Sequence, residues 1–119
     1  MGKSILKEKS FDFAVEIVQL CRSLIEVKKE FVLSKQSLRS GTAVGALVRE
    51  AQNAESSKDF VHKLGIAQKE CDESMYWLEL LKASGYLMQE EIEIPYKQAG
   101  ELLKMLRSAI LTTKNKFNS

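Results

Sequence analysis

The chain has 119 residues, of which 45% are hydrophobic and 29% charged, and its formal net charge is +2. This balance is typical of one globular domain and excludes a strongly basic protein that coats polyanions. One proline and six glycines favour a few long helices over many short strands.

The first helix is predicted over residues 10–29, after a polar lead-in, residues 1–9, that we expect to fray within a single domain, 1–119. Two apolar stripes run along the surface of this helix. The first stripe is Phe11, Ala14, Val18, Cys21 and Ile25, and the second is Phe13, Ile17, Leu20, Leu24 and Val27. Together they cover an apolar arc of roughly 240° around the helix. A helix that packs against the core of a monomeric bundle needs an apolar arc of only about 100–140°.

This excess of apolar surface predicts self-association, with one stripe on the core and the other on a neighbouring subunit. The pattern leaves open which stripe does which. The candidate subunit-interface residues are Phe13, Ile17, Leu20, Leu24 and Trp77.

The second helix is predicted over residues 32–54 and carries Gly41 and Gly45 on its buried side. A helical glycine is less favourable than alanine by roughly 1 kcal/mol, so two of them need a reason. Small residues on a buried face let another backbone approach closely. We expect that contact either within the bundle or across a subunit interface.

The third helix is predicted from an N-cap at Ser56 or Ser57 to a stop at Gly85. The longest connection is then residues 86–94, and Pro95 is predicted to be the first residue of the fourth helix. Both helices carry near-heptad apolar stripes with short connections. The expected fold is therefore all-α, an antiparallel up-down-up-down four-helix bundle.

Catalytic and metal-binding patterns are absent from the sequence. His62 is the only histidine, and no HxxxH, ExxH or glycine-rich phosphate loop is present. Cys21 and Cys71 have no CxxC spacing and are expected to be reduced, buried thiols. We predict a protein that is not an enzyme and has no cofactor, no metal and no small-molecule substrate.

Localisation is predicted from two further features. No hydrophobic signal sequence opens the chain, and no apolar run approaches the ~18–20 residues that cross a membrane. We expect a cytoplasmic protein without a membrane partner.

Charge is distributed unevenly along the chain. Residues 1–50 carry +3, residues 51–93 carry −5 and residues 94–119 carry +4. This pattern fits either complementary neighbours within one bundle or a basic binding face. For the second case the candidate nucleic-acid contacts are Lys35, Arg39 and Arg49 on the second helix and Lys97, Lys104 and Arg107 on the fourth.

Three stretches carry a family resemblance: LSKQSLRSGTAVGALVREA at 33–51, SKDFVHKLGIAQKECDESMYWLELL at 57–81, and Gly85-Tyr86-Leu87. Their order and spacing resemble the bacterial four-helix-bundle proteins first noticed within intervening sequences of large-subunit ribosomal RNA genes. The resemblance implies an antiparallel bundle that assembles into a closed homopentamer with a central opening. A related branch of the family, the accessory protein of diversity-generating retroelements, binds RNA and a reverse transcriptase. The resemblance therefore suggests RNA or a nucleic-acid enzyme as a partner.

Two functions remain open at this point. The first is a non-enzymatic ring, a homopentamer, that binds RNA, DNA or a nucleic-acid-processing enzyme through its basic residues. The second is a protein–protein scaffold without nucleic acid, which the apolar excess favours. The family's genomic setting suggests a ribosome-associated factor as a third interpretation.

Overall fold

Four antiparallel helices form the bundle in the computed structural model, which describes the backbone of residues 2–118 and the side chains of residues 5–116. The helices are α1 (Gly2–Glu26), α2 (Leu33–Gln52), α3 (Ser57–Ala83) and α4 (Gln89–Asn118). Each helix packs against two neighbours in the cyclic order α1–α2–α3–α4, and the seam between α1 and α4 is the least extensive. The predicted up-down-up-down bundle is confirmed, with extents of 51 × 22 × 21 Å.

Helix α1 begins at Gly2, so its predicted start at residue 10 is wrong. Leu6 and Ser10 face the core and are only 8% and 1% exposed. Polar residues on either side of Leu6 and Ser10 obscure the apolar repeat in the sequence, and residues 2–9 of the predicted lead-in belong to the helix. The helix ends at Glu26, earlier than predicted, and Lys29 has a positive φ of 58°.

The two glycines of α2 lie against α1. A Cβ added to Gly41 would lie 2.8 Å from Cγ2 of Ile17, and one added to Gly45 would lie 3.3 Å from the carbonyl oxygen of Ser10. Neither position has room for a side chain without a shift of its neighbour. The glycines therefore permit a close approach of α1 and α2 within one bundle, which decides between the two contacts left open by the sequence.

Helix α3 has the ends predicted for it. The hydroxyl of Ser56 accepts a hydrogen bond from the backbone N–H of Asp59 at 3.0 Å, as an N-cap does. Gly85 has a φ of 86°. Its N–H donates to the Lys82 carbonyl at 3.1 Å, and the Tyr86 N–H donates to the Leu81 carbonyl at 2.9 Å. This pair of bonds is the Schellman motif that ends many helices.

Helix α4 begins at Gln89, so the start predicted at Pro95 is wrong. The Glu91 carboxylate accepts a hydrogen bond from the Met88 N–H at 2.9 Å, while the Met88 carbonyl accepts one from the Glu91 N–H at 3.0 Å. These bonds cap a first turn that is acidic, as the helix dipole favours, and that buries Ile92. Pro95 lies in the next turn, where its missing N–H leaves one helical hydrogen bond unmade.

Candidate functional site

Arg39 lies in an ion-pair network between α2 and α3. Its guanidinium donates to both carboxylate oxygens of Glu70, at 3.1 and 3.2 Å, and to the carboxylate of Glu73. The indole N–H of Trp77 donates to the same Glu73 carboxylate at 2.9 Å. The bonds to Glu73 and then to Glu70 raise the pKa of Arg39 above its ordinary value. Because two carboxylates compensate its charge, Arg39 is a poor candidate for a phosphate contact.

The three basic residues predicted on α4 are exposed, and one of them, Arg107, shares a cleft with two further cations. Lys97, Lys104 and Arg107 are all exposed. A cleft of about 420 Å³ between α3 and α4 adds Lys69 and Lys114 beside Arg107, with a single acidic residue. We call these five residues the basic face. Within the described part of the chain none of the five forms an ion pair.

The other two basic residues predicted on α2 do not join the basic face. Lys35 and Arg49 are exposed near opposite ends of α2, roughly 21 Å apart at 1.5 Å per residue. Arg49 instead lines an open cleft together with Lys7 of α1 and Lys116 of α4. The three candidate residues of α2 therefore have different surroundings, and none of them belongs to the basic face.

The predicted subunit interface is corrected by the structure. Phe13, Ile17 and Leu24 are 0% exposed, because the second apolar stripe of α1 faces the core of its own bundle. A side chain with no exposed area cannot contact a neighbouring subunit. Leu20 and Trp77 are half-buried and keep some surface for a partner.

A different part of α1 presents apolar side chains to solvent. Phe11 is 59% exposed and Val15 is 39% exposed, and Val18 on the same side of the helix is half-buried. We call these three residues the α1 apolar strip. Phe11 borders a cleft with α2 residues, including Thr42 and Ala46, which places the strip on the face shared by α1 and α2.

The sequence missed this strip because the first predicted stripe combined two environments. Phe11 and Cys21 belong to that stripe, yet Cys21 is only 1% exposed. The 240° apolar arc indicates that some apolar surface remains outside the core, but it does not fix the rotation of the helix about its axis.

Both cysteine thiols are buried, and their surroundings do not favour the reactive thiolate. The Cys21 thiol donates to the Ser34 carbonyl at 3.3 Å, and the Cys71 thiol donates to the Ala99 carbonyl at 3.2 Å. Burial, with a smaller effect of Glu30, raises the pKa of Cys21 to about 11. Burial is also the main cause that raises the pKa of Cys71 to about 12. Thiols of this kind are not activated as nucleophiles or metal ligands.

The described residues contain neither a cluster of metal ligands nor a membrane-spanning helix. No three His, Cys, Asp or Glu side chains come together there as a set of metal ligands. Likewise, none of the helices in that part of the chain combines the length and apolar character needed to span a bilayer.

Comparison with known families identifies the chain's relatives. The model of the 23S rRNA-intervening sequence protein family matches residues 3–108, which is most of the bundle. The chain belongs to this family. The resemblance carried by the second and third helices is thereby confirmed for the 23S rRNA-intervening sequence proteins.

A solved structure supports this membership of the 23S rRNA-intervening sequence family. It is the crystal structure of a protein with unknown function from the S23 ribosomal protein family of Bacteroides thetaiotaomicron VPI-5482. The two chains are 48% identical, the match covers 92% of this chain and 98% of that one, and the TM-score is 0.90. Neither description indicates an enzymatic family. No functionally curated protein matches the chain.

Proposed function

We propose that this protein is a non-enzymatic cytoplasmic homo-oligomer, a ring of five subunits, that binds RNA or DNA. One observation carries the proposal: the α1 apolar strip lies beside α2, whereas the cations of the basic face lie on α3 and α4. The helices follow the order α1–α2–α3–α4, so the face shared by α1 and α2 is opposite the face shared by α3 and α4. Self-association through one face therefore leaves the other available to a polyanion.

The apolar strip supports self-association. Phe11 and Val15 keep 59% and 39% of their surface exposed in the middle of a well-packed helix. Aromatic and aliphatic groups of this size contribute binding free energy only when a partner covers them. In the proposed ring the strip contacts a different surface of the neighbouring subunit, and a heterologous contact of this kind closes a ring when its rotation divides a full turn. The number five comes from the family resemblance.

The basic face supports nucleic-acid binding. Its α4 members extend from Lys97 to Lys114, roughly 25 Å at 1.5 Å per residue. Glu101, the acidic residue in the middle of this stretch, forms an ion pair with Lys9 at 3.8 Å. A ring repeats the face on every subunit, so weak contacts add through avidity.

The test is fluorescence anisotropy with a labelled single-stranded RNA at two salt concentrations. If three phosphates are neutralised, the slope of about −0.7 per phosphate predicts a more than ten-fold loss of affinity between ~50 and ~200 mM salt. The triple variant Lys97→Gln/Lys104→Gln/Arg107→Gln removes three charges from the basic face. We expect it to bind more weakly at low salt and to show a shallower salt dependence.

The matched control is Lys28→Gln/Lys29→Gln/Lys35→Gln, which removes the same charge outside the basic face. We expect it to bind RNA nearly as the unsubstituted protein does. Equal losses in the two triple variants would show that only net charge matters and would contradict the assignment of the basic face.

A protein–protein scaffold without nucleic acid is the second candidate. The observation that favours it is further exposed apolar surface, including Tyr76, which is 55% exposed and packs edge-on against Trp77 with ring centroids 5.0 Å apart. Tyrosine and tryptophan are enriched at the centres of protein interfaces. RNA binding that is absent even at ~50 mM salt would favour this function over the first.

A further inference from the structure

One end of the bundle holds an open cleft of about 1160 Å³, which we call the end cleft. The start of α1, the end of α2, the start of α3 and the end of α4 converge there. Its cationic lining residues are Lys7 from α1, Arg49 from α2 and Lys116 from α4. No aspartate or glutamate is among the described residues that line it. Three cations from three helices around one opening make an environment that favours an anion.

The remaining lining groups suit a ligand with hydroxyls and an aromatic ring. Ser57, Thr112 and Asn53 supply polar side chains, and the half-buried ring of Phe60 forms part of the wall. Aromatic side chains stack on nucleobases of any identity. Pockets of about 300–1,000 Å³ hold drug-sized ligands, so the volume is sufficient for a nucleotide.

Several carboxylates lie close to Lys7 and Arg49. Glu8 and Asp12 border a neighbouring depression of about 470 Å³ that Lys7 and Arg49 also line. Within the described residues neither carboxylate forms an ion pair with these two cations. Glu50, next to Arg49 in sequence, is paired with Lys63 at 3.1 Å.

We infer that the end cleft binds a nucleoside 5′-phosphate, with the phosphate among Lys7, Arg49 and Lys116 and the base against Phe60. The same chemical group occurs in a free mononucleotide and at the 5′-phosphorylated end of an RNA strand. Binding of an RNA end rests on the nucleic-acid function proposed above, whereas binding of a mononucleotide does not. None of the five residues of the basic face lines the end cleft. A mononucleotide ligand would also depart from the sequence-based expectation that no small molecule binds.

The first experiment is calorimetric titration of the full-length protein with AMP and, separately, with inorganic phosphate at low salt. Charge-assisted hydrogen bonds to phosphate are strong, so we expect Arg49→Gln to weaken both ligands about ten-fold. The control Lys35→Gln lies on the same helix outside the cleft and is expected to leave both affinities unchanged. Phe60→Leu is expected to weaken AMP but not inorganic phosphate.

The second experiment compares two RNA strands of one sequence, one with a 5′-phosphate and one with a 5′-hydroxyl. Preference for the phosphorylated strand, lost in Arg49→Gln, assigns the RNA end as a ligand even if AMP alone is too weak to measure. Binding of AMP without any RNA binding supports the cleft while contradicting the nucleic-acid function. The inference is overturned if AMP and phosphate do not bind and the two RNAs bind equally, or if Arg49→Gln changes nothing.

Discussion

The carboxylate of Glu30 accepts a 2.7 Å hydrogen bond from the backbone N–H of Ser34, near the start of α2. The same carboxylate accepts bonds from the N–H groups of Leu33 at 2.9 Å and Val32 at 3.1 Å. The Ser34 hydroxyl in turn donates to the Glu30 carbonyl at 2.7 Å. Glu30 therefore satisfies the free N–H groups of α2 from outside the helix, in place of a side chain at the N-cap residue Val32.

Replacing this carboxylate is expected to destabilise the bundle. Glu30→Gln removes the charge that strengthens the hydrogen bonds from the backbone N–H groups of α2. Because Glu30 is only 7% exposed, water cannot fully replace these bonds. We expect a loss of about 1–3 kcal/mol in the free energy of unfolding, measured by urea titration. Glu26→Gln, exposed at the end of α1, is the control and should change stability by less than about 0.5 kcal/mol. Equal midpoints for the two variants would contradict this role of Glu30.

The same contact predicts a pH dependence of stability. Burial alone would raise the pKa of Glu30, but hydrogen bonds from Leu33, Ser34 and Val32 outweigh it and hold the pKa below its ordinary value. For a carboxyl with a lowered folded-state pKa, the stabilisation is complete above the unfolded-state pKa, near 4.3, and is lost as the pH falls through the folded-state value. The stability difference between the unsubstituted protein and Glu30→Gln should therefore shrink steadily in urea titrations below about pH 4. A difference that stays constant down to about pH 3 would show that the cap is not ionised.

Gly41→Ala tests the close packing of α1 and α2. The added methyl would lie 2.8 Å from Ile17 Cγ2, a clash that forces a shift in the core. Overpacking of this kind costs about 1–3 kcal/mol, which outweighs the gain of roughly 1 kcal/mol in helix propensity. Thermal or urea unfolding should show a net loss of stability.

Gly65→Ala is the matched control on α3, because nothing lies within 4 Å of its added Cβ. There the propensity gain acts alone, and stability should rise by about 0.5–1 kcal/mol. If the two substitutions change stability in the same direction, the tight contact at Gly41 is absent in solution.

Much of the fold could be predicted from local pattern. The heptad stripe of α3 and the glycine that ends it are short-range features, and both were predicted correctly. The start of α4 was missed because its cap depends on the side chain of Glu91 reaching back to Met88, which outweighs the tendency of Pro95 to begin a helix.

The candidate site was harder to predict because its partners are distant in sequence. Arg39 is paired with Glu70, 31 residues away, so no local pattern reveals that its charge is compensated. The rotation of α1 about its axis was equally hard to predict, since both apolar stripes contain a phenylalanine, Phe11 on one and Phe13 on the other. Only packing against α2 and α4 decides that Phe13 enters the core and Phe11 remains outside.

The buried thiols predict slow chemical modification. With pKa values raised to about 11 for Cys21 and about 12 for Cys71, the thiolate fraction near pH 8 is very small. Reaction with a thiol reagent such as Ellman's should require unfolding, so its rate should follow the unfolding rate in native buffer. Addition of urea above the transition midpoint should expose both thiols at once. Fast labelling of either cysteine in the native protein would contradict its position in the core.

Self-association through the α1 apolar strip is decided by the solution mass of the full chain, measured by light scattering. A closed ring of five subunits has a mass near five times 13.5 kDa, about 67 kDa, and we expect this value. We also expect a smaller mass for Phe11→Asp/Val15→Asp, while Val27→Asp, 71% exposed outside the strip, leaves the assembly intact. A monomer of about 13.5 kDa for the unsubstituted protein, at concentrations where the strip should be covered, would contradict self-association through the strip.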